Sequence, residues 1–124
     1  MNINVMLSVF IGGGLGSLCR YGISKLIVSK FEGINPIATL FSNVISTFIF
    51  AIFLLLIFHK FTFNETAKTM LLVGFCGGFS TFSTFSFEMF QLIKTGNIMF
   101  ASLYFISSIV LGIGLFFIIS KNIA

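Results

Sequence analysis

The sequence predicts an all-α membrane protein of four transmembrane helices, the third of them broken, and three observations carry that prediction. Of 124 residues, 57% are hydrophobic and 8% charged, with a mean hydropathy of +1.14, where a soluble domain carries roughly 25% charged residues. Four uncharged stretches run from Asn2 to Cys19, Gly33 to Phe58, Thr69 to Phe87 and Thr95 to Ser120. A helix needs about 20 residues, at roughly 1.5 Å each, to cross the hydrocarbon core, so every stretch is long enough or nearly so. The third stretch also carries Gly77-Gly78 followed by a Ser-Thr-Phe doublet at 80–85. A membrane tolerates non-helical backbone only where protein or water satisfies the freed N–H and C=O groups, so this run is expected to break the helix and line an ion path.

The first helix contains Gly12-Gly13-Gly14-Leu15-Gly16, with glycines four apart, a spacing that lets two helix backbones approach closely. Arg20 falls about 16 residues into that helix, roughly 24 Å along its axis. That places it near the far interface or in a wet recess, as a snorkelling anchor or as a group that attracts an anion or braces a dimer. The second helix is expected to open at Pro36, which suits a first turn. It carries Thr39, Asn43, Ser46 and Thr47 at one-turn spacings, a row able to bridge helices or to replace the water shell of an ion. Asn64 or Thr66 is expected to cap the third helix, and Glu88, just beyond its uncharged stretch, reads as an interfacial charge. Lys94 and Gly96-Asn97 separate the third helix from the fourth. His59, next to Lys60 at a helix end, reads as a surface residue, and Cys19 and Cys76 as small packing residues too isolated for a disulfide framework or a zinc site.

The whole chain, 1–124, is expected to be one domain without a cleavable leader, since no basic segment precedes the first apolar stretch and no cleavage site follows it. Four helices enclose little interior for a polar path, so oligomerisation is expected. With the helices alternating in direction, Lys60, Lys68 and Lys121 fall on one side and Lys25, Lys30 and Lys94 on the other, which leaves the orientation undecided by charge. The net charge of +4 does not point to nucleic acid, because these cations sit at helix ends where they snorkel to lipid headgroups. No nucleophile–base pair or metal cluster is visible, so an enzyme is not expected.

With 19 phenylalanines in the chain, a single one carries little information, but Phe82 and Phe85 each follow a Ser-Thr pair and lie about 60° apart on neighbouring turns. Their positive ring edges, beside Ser83, Thr84 and an Asn N–H, suit a small anion. Gly12-Gly13 to Arg20-Tyr21, then Pro36, Thr39-Leu40 and Asn43, then Gly74 to Glu88 resemble the CrcB/Fluc family of fluoride channels, in the same order and over nearly the whole length. The resemblance implies a dual-topology antiparallel dimer in a prokaryotic plasma membrane, with two fluoride pores and a central structural sodium ion, exporting cytoplasmic fluoride passively and conferring fluoride resistance. By matched position, Phe82, Phe85, Asn43, Ser83 and Thr84 would line the pore, with Tyr104 and Ser108 as further polar pore residues. Arg20, Thr39 and Glu88 would serve the vestibule or the structure, and the backbone carbonyls of Gly77 and Ser80 would hold sodium.

Two departures stand out: Ala38 and Ser46 replace residues that the family commonly has as glycine. They leave open a heterodimer with a paralogous chain. A small multidrug exporter, also a dual-topology four-helix dimer, is the alternative, set aside because the chain has no Trp and its first three uncharged stretches enclose no acid. A non-transporting membrane scaffold, whose hydroxyls merely knit helices together, is the third reading.

Overall fold

The structure, a computed structural model, describes residues 1–58 and 62–121; His59 and Lys60 lie outside the described residues. Helix α1 spans Ile3–Leu26, with the Asn2 side chain accepting a bond from the Asn4 N–H at 2.9 Å. The helix continues past Arg20, further than its uncharged stretch. Asn35 then ties the end of α1 to the next helix, its Nδ2 donating to the carbonyls of Ile27 at 2.8 Å and Ser24 at 3.2 Å. Helix α2, Pro36–Phe58, opens on the proline as the sequence predicts, where a missing N–H costs nothing.

The third span comprises four pieces. Helix α3, Glu65–Thr69, is capped by Asn64, whose Oδ1 accepts from the Ala67 N–H at 2.7 Å. A π-helical segment, Met70–Phe75, follows, with the Cys76 N–H bonded to the Leu71 carbonyl five residues back. Helix α4 covers Cys76–Phe79 and α5 covers Ser83–Lys94. A glycine turn ends α5: Gly96 takes φ +85°, and the Asn97 and Gly96 N–H groups return to the Leu92 and Ile93 carbonyls, a Schellman closure. Helix α6 spans Ile98–Ser120. Among the described residues, four segments are thus long and apolar enough to cross a membrane: Ile3–Leu26, Pro36–Ile57, Glu65–Lys94 and Ile98–Ser120.

The break falls at Ser80–Phe82, where Ser80 is extended at φ −89° and ψ 159°, rather than at Gly77-Gly78. Those glycines are helical, and Gly78 serves a different purpose. Helix α1 packs along Met70–Phe79 so closely that a Cβ at Gly12, Gly16 or Gly78 would run into the backbone of Met70, Phe75 or Gly13. Gly74 meets the Val9 carbonyl in the same seam. Backbone contact of this kind is how helices associate where lipid is as apolar as any side chain.

Gly16→Ala should therefore wedge α1 away from the third span and lower stability by about 1–3 kcal/mol. Gly14→Ala faces open space and should be neutral or stabilising by up to about 1 kcal/mol from helix propensity. Unfolding midpoints of the purified protein in detergent distinguish the two.

Candidate functional site

An interrupted helix in a bilayer leaves main-chain groups that must find partners, and α2 and α1 provide them. Asn43 grips Thr81 twice: its Oδ1 accepts from the Thr81 N–H at 2.8 Å and its Nδ2 donates to the Thr81 carbonyl at 3.2 Å. Arg20 reaches across from α1, its Nε donating to the Gly78 carbonyl at 3.1 Å. The Thr81 hydroxyl accepts from the Thr84 N–H at 3.1 Å and so satisfies an orphan donor in the first turn of α5. Arg20 is thus held inside the fold instead of snorkelling free.

The other end of the site is a buried acid. Glu88 is only 2% exposed; its Oε2 accepts from the Asn35 N–H and the Thr39 hydroxyl, both at 3.0 Å, and its Oε1 accepts from the Tyr104 hydroxyl at 2.7 Å. The expectation of an interfacial charge is corrected here, for a physical reason: the third helix runs on to Lys94, so Glu88 lies inside the span with three donors converging on it. The same finding removes one argument against the multidrug exporter, since the third span does enclose an acid.

Between these two features a polar recess of about 430 Å³ is lined by Arg20, Asn35, Thr39, Ser42, Thr81, Thr84 and Glu88, among others. Phe82 and Phe85 flank the same segment with ring centroids 6.1 Å apart. Phe85 sets its ring edge-to-face with Tyr104 at 5.0 Å, which joins the phenylalanine pair to the Glu88 cluster, while Phe82 is 79% exposed on the surface of the chain. Ser83 is exposed beside it and Thr84 half-buried. Ser108, one turn beyond Tyr104 on α6, has a shielded hydroxyl without a hydrogen-bond partner among the described residues.

Gly77 and Ser80 belong to a separate cavity of about 230 Å³, shared with Ser46, Thr47 and Cys76. The Gly77 carbonyl would ordinarily accept from the Thr81 N–H, which Asn43 holds instead. Carbonyl ends of interrupted helices are suited to sodium. The two sets of predicted residues therefore lie on different flanks of the break. Cys76 is buried as predicted, whereas Cys19 is exposed.

Sequence reasoning missed Thr81, Asn35 and Ser42. Thr81 was visible as a hydroxyl at the point where the Ser-Thr-Phe doublet breaks the helix, and Asn35 as the residue before Pro36. Ser42 gave no signal; it is 1% exposed, with its hydroxyl unpartnered among the described residues.

Comparison with known proteins bears on this geometry. The family model described as CrcB-like protein, Camphor Resistance (CrcB), matches residues 7–119. Among similar proteins, one from Nitrobacter winogradskyi named fluoride-specific ion channel FluC is 40% identical over 118 residues, covering 92% of this chain and 90% of the relative. One of the same name from Pyrococcus abyssi is 39% identical over 118 residues, covering 95% and 94%, and one from Aquifex aeolicus is 34% identical over 111 residues, covering 90% of each. These relatives are named as ion channels and not as enzymes.

Tyr104→Phe keeps the ring against Phe85 but removes a donor from the buried Glu88 carboxyl. It should destabilise the purified protein by about 1–3 kcal/mol, the cost of leaving a buried polar group short of a partner. An unfolding midpoint unchanged from wild type would show that Glu88 does not depend on this bond.

Proposed function

This chain belongs to the CrcB family, and we propose that it is a passive fluoride-selective channel that lets cytoplasmic fluoride leave down its gradient and so confers fluoride resistance. The observation that carries the reading is the Phe82–Phe85 pair at the head of α5, beside a helix break whose Thr81 main chain is held by the neutral Asn43 amide. Fluoride holds its hydration shell tightly, so a path must offer several donors in succession. The second N–H of the Asn43 amide and the hydroxyls of Ser83, Thr84 and Ser108 supply them; Tyr104, whose one proton is given to Glu88, lines the path with its ring, and the positive ring edges of Phe82 and Phe85 continue the series. The reading puts this multi-pass protein in the plasma membrane of a prokaryote, where such a channel would meet cytoplasmic fluoride; the four membrane-capable spans support the multi-pass part.

Two antiparallel copies would form the channel, with two pores built from both chains. The support is what a single chain leaves on its surface: Phe82 and Ser83 at one place and Gly77, beside its open cavity, at another. Polar groups such as the Ser83 hydroxyl and the exposed Gly77 main chain are costly against lipid, and a second chain would cover them. A structural sodium ion fits the carbonyl oxygens of Gly77 and Ser80, where it would supply a positive charge binding the two chains at their centre.

Purified protein in liposomes should release trapped fluoride and retain chloride, and absence of fluoride efflux would refute the channel in favour of a scaffold. Phe82→Ile and Phe85→Ile keep the apolar volume without the polarised edge, and each should reduce fluoride efflux at least about tenfold, a loss of about 1.4 kcal/mol. Wild-type flux through both would remove these rings from the mechanism.

A single cysteine at the exposed Glu32, in a background lacking Cys19 and Cys76, should react with an impermeant thiol reagent in about half the molecules of intact cells, by the balance of lysines. Labelling of all or none would rule out dual topology for this chain alone and point to a paralogous partner of opposite orientation.

A further inference from the structure

The cavity on the sodium flank of the break contains a second grip from α2 that the pore reading does not use. Ser46 is 2% exposed, and its hydroxyl donates to the Cys76 carbonyl at 2.8 Å. The same oxygen also accepts the Ser80 N–H at 3.0 Å and the Ser80 hydroxyl at 2.8 Å. A carbonyl has two lone pairs, so three donors saturate it, and one of the three comes from another helix. Asn43 and Ser46 are three residues apart and share a face of α2. They hold the third span on either side of Gly77: Asn43 at Thr81 and Ser46 at Cys76.

We infer that Ser46 is a positioning residue for the cation-holding carbonyls, pinning Cys76 at the start of α4 and so fixing where the carbonyls of Gly77 and Ser80, in the same cavity, lie. The inference rests on the sodium reading above. Thr47, next in sequence and in the same cavity, turns its hydroxyl back to the Asn43 carbonyl of its own helix at 2.8 Å and so makes no such bridge.

The test is the sodium dependence of the unfolding midpoint of the purified protein in detergent, with N-methylglucamine replacing sodium at constant ionic strength. Wild type is stabilised as sodium rises, by mass action on the folded state. In Ser46→Ala the half-effective sodium concentration should increase about three- to tenfold, the size expected of one hydrogen bond, and Ser46→Thr, which restores the hydroxyl, should recover it. A merely structural role would lower the midpoint equally at every sodium concentration, and an unshifted half-effective concentration overturns the inference while leaving the sodium reading intact. Absence of any sodium response in wild type overturns both. Should Ser46→Ala not fold without sodium, Ser46→Gly is compared in the same titration. Failure of both to fold at all sodium concentrations makes the bond a requirement of the fold and overturns the positioning role.

Discussion

A backbone that stops being helical in the middle of a hydrocarbon layer has to be satisfied by its own protein, and this requirement organises the molecule. The three residues from Ser80 to Phe82 interrupt the third span, and the amide of Asn43, the guanidinium of Arg20 and the hydroxyl of Thr81 meet the groups so released. Asn43 and Arg20 come from other helices, which must be held at a fixed distance from the break. The glycine seam between α1 and the third span brings Arg20 within reach of Gly78, and the row on α2 brings Asn43 to Thr81. Losing the seam would therefore affect the site as well as the packing.

The break also divides the polar chemistry into two flanks. On one, the recess joins Arg20, Thr81 and Thr84 to the Glu88 cluster; on the other, Ser46, Cys76, Gly77 and Ser80 line a smaller cavity, with the hydroxyls of Ser46 and Ser80 both on the Cys76 carbonyl. An anion path needs donors and a cation site needs acceptors. One interrupted helix supplies both, because interruption frees N–H groups on the α5 side and C=O groups on the α4 side. Asn43, which carries both a donor and an acceptor, is the side chain suited to stand between them.

Glu88 shows how burial changes the meaning of a residue. At the end of an uncharged stretch it resembled an interfacial charge, yet Thr39, Tyr104 and the Asn35 N–H converge on it. Thr39 and Tyr104 had been separate candidates on different helices; the carboxyl joins them, and the edge-to-face contact of Phe85 with Tyr104 extends the group to the phenylalanine pair. A buried carboxyl with three donors is costly to disturb, which makes this cluster a rigid wall for the recess.

Much of this protein was determined by sequence alone: four spans, because composition and the length of uncharged runs report directly on the bilayer; Pro36 at a helix start and a cap at Asn64 or Thr66, because such preferences are local; and the identity of the broken segment, because a hydroxyl-rich run has few other uses in a membrane. The glycines near the break were legible as close-packing residues at 12–16 but misread at 77–78, since a glycine that admits a neighbouring helix and one that breaks its own look alike in one dimension. Only the tertiary structure decided where the break falls, that Asn43 and Arg20 serve the backbone, and that Glu88 is buried. These outcomes depend on which residues far apart in the chain meet across helices, and spacing along a single helix specifies a face without specifying what that face will touch.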